Sequence, residues 1–311
     1  MTDTRDHGGG VDDAAARFGG DRADWIDLST GINPVPYPLP PLDAQAWTAL
    51  PDRAAADALI AAARRFWRVP DAAAILAAPG ASSLIARLPA LAPLGRVHIP
   101  APTYNEHAAA FAAHGWTQSA KDPDVRVLVH PNNPTGHWYG PADLDAPLTV
   151  VDESFADVAP ERSLASHAAR DGVIVLKSFG KFWGLAGLRL GFAIGTSGAI
   201  DRLAGLLGPW PVSGPALAVG RRALDDPAWA DETRVRLAAD AARLDALMTR
   251  AGAGVVGGTT LFRLYEVGDA TAWQARLARH RIWSRIFPYS TGWLRLGLPP
   301  QDGWVRLERA L

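Results

Sequence analysis

Between residues 73 and 194, short continuous apolar runs alternate with stretches of helical periodicity, and this pattern narrows the possible folds more than any other feature. The runs at 73–77, 96–99, 125–130, 148–151, 173–176 and 190–194 are mostly apolar, and only the shortest polar interruptions, such as Arg96, His98 and Arg126, break them. Strands of that kind belong in a sheet covered on both faces. Helical stretches beginning near Ser82, Tyr104 and Arg162 separate them. The alternation predicts an α/β chain with a large, doubly wound, mostly parallel sheet.

The flanking regions differ in style. Residues 1–42 carry Gly8–Gly10, Gly19, Gly20 and Gly31, and prolines at 34, 36, 38, 40 and 41. That density of Gly and Pro reads as an N-terminal arm without long regular elements, packed with a small domain. A helix is expected over 54–67. Residues 43–213 form the expected large domain. From 214 onward, helices at 215–224 and 229–250, strands at 260–265, 282–287 and 293–298, and a helix near 271–280 suggest a smaller α+β domain, 214–311. Gly252–Gly258 reads as a loop.

Composition removes several function classes. The chain has no cysteine, which excludes disulfides, thiolate metal sites and a cysteine nucleophile. Lys and Arg number 31 against 32 Asp and Glu. So even a balance argues against a general nucleic-acid or membrane-surface binder. No apolar run reaches the length of a membrane span, and the polar start has no apolar signal core, so a cytoplasmic enzyme is expected. Two motifs fail on inspection. His7-Gly8-Gly9-Gly10 suggests an esterase oxyanion loop, but no Gly-x-Ser-x-Gly elbow accompanies it. Gly180-Lys181 is followed by Phe182, so it is no Walker A loop. The histidines show no metal-ligand spacing, and no metal is expected.

Four segments placed after strands carry the chemistry. In Leu176–Gly191, Ser178 and Lys181 occupy a Gly-bearing loop and Arg189 follows eight residues later. Such a lysine is equally at home in solvent. A Schiff-base lysine, by contrast, needs a neutral amine, and a nearby Ser and Arg suit a phosphate. Pro79-Gly80-Ala81-Ser82-Ser83 opens a helix where N–H groups and hydroxyls suit an anion. His130–Gly136 forms a rigid turn around Asn132 and Asn133, which a purely structural role also explains. Val150–Phe155 ends a strand in Asp152, a position that also suits a helix cap.

Taken in order, these segments resemble the fold-type I pyridoxal-phosphate enzymes of the aminotransferase class I/II superfamily. His7-Gly8-Gly9, the stretch Asp27–Pro34 and Asp152–Asp157 resemble the threonine-phosphate decarboxylases of cobalamin biosynthesis, whose relatives are the histidinol-phosphate aminotransferases. The resemblance implies pyridoxal 5'-phosphate as cofactor, with Lys181 as the amine that holds it covalently. It implies that Asp152 binds the pyridinium nitrogen and Asn133 the ring's phenolic oxygen. Tyr104 would stack on the ring and His107 would support Asp152. Gly80, Ala81, Ser82, Ser178 and Arg189 would hold the cofactor phosphate. Arg295 would take the substrate α-carboxylate, with Arg285, His7, Ser29, Thr30 and Asn33 around the substrate's own phosphate.

The function so implied is decarboxylation of L-threonine O-3-phosphate to (R)-1-aminopropan-2-ol phosphate by a homodimer. An aminotransferase acting on a phosphorylated amine such as histidinol phosphate is the alternative. Two departures bear on this. Phe155 stands where many aminotransferases have a hydroxyl-bearing Tyr, which favours the decarboxylases. Leu50 stands where many relatives have a Tyr that reaches the neighbouring subunit's cofactor phosphate, so that contact is expected to be missing.

Overall fold

The computed structural model describes residues 7–311, so residues 1–6 of the expected arm lie outside the described residues. The chain divides into two compact units. One comprises residues 37–133 and 137–231; the other comprises the N-terminal segment to Pro36, Pro134–Gly136 and Glu232–Leu311.

The first unit is built on a seven-stranded sheet. Its spatial order is Ala74–Ala78, Gly191–Gly195, Val173–Ser178, Leu148–Asp152, Val125–Val129, Arg96–His98, Thr117–Gln118. Every pairing from Val173–Ser178 outward to Thr117–Gln118 is parallel, and Gly191–Gly195 alone runs antiparallel to its two neighbours. This is the doubly wound, mostly parallel α/β sheet expected. Strands such as Val125–Val129 and Val173–Ser178 are buried along almost their whole length, as a sheet covered on both faces requires. One face packs Val150, Ile174 and Leu176 against Leu84, Leu88, Phe111 and Trp116.

Helices Arg53–Phe66 and Asn105–Ala113 form close to where the periodicity placed them. No α-helix forms at Arg162, where short 3₁₀ turns at Pro160–Arg162 and Ala165–His167 stand instead. Helix Ser197–Leu207 was not read from the sequence, because Gly198 and Gly205 weaken its pattern. The compact units also meet at 231/232 rather than at 213. Helix Gly214–Leu224 belongs with the sheet because Gly220 lets it lie against Leu59 and Leu190. A Cβ there would stand 2.4 Å from Leu190 Cδ2 and 3.1 Å from Leu59 Cδ1.

The second unit holds a four-stranded antiparallel sheet ordered Arg285–Phe287, Ser290–Gly297, Phe262–Glu266, Gly254–Thr259. The last strand falls in the glycine-rich stretch expected to be a loop. The arm carries a helix, Val11–Phe18, that its glycine-rich flanks concealed. The arm's Ile26–Asp27 pairs in parallel with Ile282–Trp283, and Phe18, Trp25 and Trp283 pack together beneath it, Trp25 and Trp283 edge to face. No helix among the described residues is long and apolar enough to cross a membrane.

Candidate active site

In a parallel sheet, the loops after the strands gather at one end, and ligands bind there. Leu148–Asp152 ends in Asp152, which is buried to 2% exposure. Three donors point at its carboxylate. His107 Nε2 lies 2.8 Å from Oδ2, while Oδ1 accepts from the Ser154 backbone N–H at 3.0 Å and its hydroxyl at 2.5 Å. Burial pushes the acid's pKa up, but the His107 and Ser154 interactions outweigh it and hold the pKa below the ordinary carboxylate value. Asp152 is therefore an anion at neutral pH. The ring's other nitrogen, Nδ1, is buried with no hydrogen-bond partner. Tyr104 caps the N-terminus of the same helix, its ring edge-on to His107 at 6.1 Å.

Lys181 lies in the loop after Val173–Ser178, half-buried, with Nζ 5.4 Å from the centre of the Phe155 ring. Phe155 itself is buried. Phe179, Phe182 and Trp183 are fully buried on either side of Lys181 and fix the loop's course. The Ser178 hydroxyl accepts from the Gly180 N–H.

The Gly80 loop is built for close approach. Gly80 has φ +82°, and a Cβ on it would meet the Arg189 guanidinium at 2.6 Å. A Cβ on Gly191 would meet the Ala81 nitrogen at 2.4 Å. The left-handed φ of Gly80 and the backbone clash that a Cβ on Gly191 would make are what call for glycine at both places, and they let Arg189, itself left-handed at φ +53°, lie beside the start of helix Ala81–Ile85. The Ser83 N–H bonds the Gly80 carbonyl at 3.2 Å, which leaves those of Ala81 and Ser82 as the first-turn groups turned toward an anion. A guanidinium, free amide N–H groups and hydroxyls together fit a phosphate. A lysine amine and a buried carboxylate held ionised fit an aldehyde-bearing pyridinium. Gly80, Ala81, Ser82, Tyr104, His107, Asn133, Asp152, Ser178, Lys181 and Arg189 all belong to the sheet unit.

Asn132 and Asn133 have different surroundings. Asn132 is buried and knits loops together, accepting from the Thr103 hydroxyl at 2.6 Å and donating to the Pro102 carbonyl at 3.0 Å. Asn133 is only half-buried.

The expected substrate residues all lie in the other unit. Arg295 is buried on Ser290–Gly297, donates to the Ser29 carbonyl at 2.5 Å and packs over the Phe262 ring. The arm lies against this arginine because residue 8 is glycine: a Cβ there would stand 2.5 Å from the Ser29 carbonyl oxygen. Ser29 and Asn33 are committed internally. The Ser29 hydroxyl donates to Asp27 at 2.6 Å and accepts the Gly9 N–H at 2.7 Å. The Asn33 side-chain oxygen accepts from Val35 N–H and from Arg236 at 2.8 Å. Arg285 donates to the backbone carbonyl of His7, so both residues sit at the arm's edge, while Thr30 is half-buried beside Gly297.

One group escaped the sequence reading. Lys177, Glu153 and Asp157 form a buried charged cluster in the sheet unit. Lys177 Nζ is 2.5 Å from Glu153 and 3.4 Å from Asp157. Burial depresses the ammonium's pKa, and the two carboxylates more than reverse this, for a net rise. The local motif Asp152–Asp157 was visible, but nothing in it signals a lysine 24 positions from Glu153.

Comparison with known proteins agrees with this geometry. A family model described as aminotransferase class I and II matches residues 117–303. A threonine-phosphate decarboxylase from a Sinorhizobium species is 43% identical over 98% of this chain and 97% of that protein. Another from Pseudomonas aeruginosa is 40% identical over 98% and 97%. The solved structure of histidinol-phosphate aminotransferase from Sinorhizobium meliloti, in complex with pyridoxal-5'-phosphate, superposes with a TM-score of 0.80 at 19% identity. It covers 97% of this chain and 93% of its own. This chain belongs to the aminotransferase class I and II family.

Proposed function

We propose that this chain is a pyridoxal-phosphate-dependent decarboxylase that converts L-threonine O-3-phosphate to (R)-1-aminopropan-2-ol phosphate. The observation that carries the reading is the likeness to two threonine-phosphate decarboxylases at 43% and 40% identity over nearly the whole length. When bound, the cofactor supplies an electron sink for the pair released as the Cα–carboxylate bond breaks.

The chain's own residues do the rest. Lys181 would hold the cofactor through its amine, and that amine is the group placed to deliver a proton to Cα. Asp152, ionised and buried, keeps a negative charge fixed opposite the pyridinium nitrogen, and His107 holds the carboxylate in place. Arg189, Ser178 and the backbone at Ala81 and Ser82 hold the cofactor phosphate, beside Gly80. Tyr104 would cover a face of the ring and Asn133 would donate to its phenolic oxygen. Phe155 offers no hydroxyl there. Arg295 takes the substrate carboxylate through a guanidinium edge and sets the direction in which that bond points. Arg285, His7 and Thr30 are the candidates for the substrate phosphate. Ser29 and Asn33 act by holding the arm and the Arg236 contact. The enzyme works as a cytoplasmic homodimer, and the exposed Trp47 and Leu50 suit a surface covered by a second copy.

The test is product analysis. Purified protein given pyridoxal phosphate and L-threonine O-3-phosphate should release carbon dioxide and accumulate aminopropanol phosphate with no keto acid present. Glutamate formed from 2-oxoglutarate and histidinol phosphate, without carbon dioxide from threonine phosphate, would make it an aminotransferase instead.

A further inference from the structure

The cluster of Lys177, Glu153 and Asp157 has no part in the chemistry above, yet two of its members adjoin residues that do and the third lies close to Phe155. Glu153 follows Asp152 and Lys177 precedes Ser178; Asp157 lies two residues after Phe155. Side chains alternate along a strand, so Glu153 and Lys177 project from the face opposite Asp152 and its register partner Leu176.

All three charges are at most 4% exposed, and each is densely partnered. Glu153 accepts from Lys177, from the Ser163 hydroxyl at 2.6 Å and from the Leu164 N–H at 2.5 Å. Asp157 accepts from Lys177 and from two indoles: Trp67 Nε1 at 2.9 Å to Oδ1, and Trp183 Nε1 at 3.1 Å to Oδ2. Buried ions contribute little net stability compared with apolar side chains of equal volume, so their presence calls for another account.

Trp183 supplies it. Its ring is fully buried and sandwiched, stacked on Phe179 at 5.1 Å and on Trp229 at 5.3 Å. Phe66, Phe182 and Tyr37 close around its edge at 5.2, 5.3 and 6.0 Å. Those contacts are apolar and confine the ring by shape; the hydrogen bond to Asp157 is the polar contact that fixes where its N–H edge points. Trp183 is two residues from Lys181, and the Gly184 N–H closes back on the Lys181 carbonyl at 3.1 Å. Asp157 therefore joins the turn that carries Phe155 to the loop that carries Lys181. Those are the two side chains whose separation, Nζ to ring centre, is 5.4 Å.

We propose that Asp157, acting through the indole N–H of Trp183 and anchored by Lys177, is a positioning residue that sets where the Lys181 amine stands. It touches neither substrate nor cofactor. The proposal rests on the reading of Lys181 as the cofactor-bearing lysine.

The experiment uses holoenzyme of three variants. Trp183→Phe keeps a stacked ring and deletes the N–H; Asp157→Asn keeps the shape and deletes the charge; Trp229→Phe weakens the stack without touching Asp157. With positioning by Asp157, Trp183→Phe and Asp157→Asn lower kcat by about tenfold or more while KM stays within about twofold, since sub-ångström misplacement acts on the reacting geometry. Both also weaken the visible circular dichroism of the bound cofactor, which reports its orientation. Trp229→Phe retains both values even where its melting temperature falls as far. If Trp183→Phe lowers only the melting temperature and keeps wild-type kcat and dichroism, the cluster is structural and the proposal fails. Should Asp157→Asn not fold, Trp183→Phe decides alone. Failure of the underlying reading has a different signature: Lys181→Ala would still fix cofactor to protein on borohydride reduction.

Discussion

Asp152 and Glu153 are consecutive buried acids, and the protein treats them in opposite ways. Glu153 meets a lysine ammonium at 2.5 Å, so its charge is neutralised inside the fold. Asp152 meets a histidine N–H, a hydroxyl and a backbone amide. These donors hold the carboxylate ionised without a paired lysine or arginine. One strand end thus presents an anion with charge still to offer on one face and a closed ion cluster on the other. A charge available to a ligand and a charge locked into architecture are distinguished here by the partner's chemistry, since burial is the same for both.

The comparison is broken most severely at Asp152 itself. Asp152→Asn keeps the shape but loses the fixed negative charge. Steady-state kinetics should show kcat falling by about a thousandfold, in line with removal of a preorganised electrostatic partner. The melting temperature should change little by comparison, because the amide oxygen still accepts from Ser154. The reverse pattern, a large stability loss with near-normal turnover, would mean that Asp152 belongs to the architecture and that the contrast is false.

Glu153→Gln should give that reverse pattern. It leaves a buried ammonium with Asp157 as its remaining carboxylate, and removing one partner of a buried pair costs about 3–5 kcal/mol. Denaturant unfolding should report the loss, while kcat per folded molecule falls far less than in Asp152→Asn. The pH dependence has its own sign. Lys177 has a pKa raised in the fold, so its contribution is fully present below the ordinary lysine value and is lost as pH rises through the raised one. Glu153→Gln should therefore narrow the difference in stability between neutral and strongly alkaline solution.

His107→Gln sharpens the other side. Its hydrogen bond is the foremost influence lowering the Asp152 pKa against burial, so without it that pKa rises. A depressed acid contributes stability above its ordinary value and loses it as pH falls through the folded one, so the variant should begin to lose stability at higher pH in acid. The acid limb of the pH–rate profile should move up with it. At neutral pH, the rate should drop by about tenfold.

The sequence made the first half of this contrast legible and hid the second. Asp152, Lys181, Gly80 and Asn133 follow strands in a chain whose alternation already implied a parallel sheet, so one end of that sheet collects them. Local motifs sufficed because each carries its own turn chemistry, as the clash of a Cβ at Gly80 with Arg189 illustrates. Lys177 offered no such signal. A lone lysine in an apolar run reads as a strand edge, and only the tertiary pairing with Glu153 and Asp157 makes it a core residue. The same blindness applies to Ser29 and Asn33. The resemblance sets them near a substrate phosphate, and sequence gives no sign that the Ser29 hydroxyl and the Asn33 side-chain oxygen also engage Asp27, Gly9 and Arg236. Glycine misled in both directions. It concealed the strand Gly254–Thr259 and the helix Val11–Phe18, whose stability comes from packing rather than propensity.

The smallest expected effect is the most discriminating about how Asp152 is held. Ser154→Ala removes the hydroxyl donor at 2.5 Å and leaves the backbone N–H of the same residue at 3.0 Å on the same oxygen. The freed Oδ1 keeps one donor and Oδ2 keeps His107. The loss should be near that of an ordinary net hydrogen bond to a charged group, about 1.5–3 kcal/mol in unfolding experiments. The acid limb should move in the same direction as in His107→Gln but by less, because the histidine outweighs the serine in holding the acid down. Measuring both pH profiles side by side ranks the two supports. If the Ser154→Ala limb moved further than the His107→Gln limb, the serine turn would be what keeps Asp152 ionised, and the buried histidine would serve only to fill space beside Tyr104.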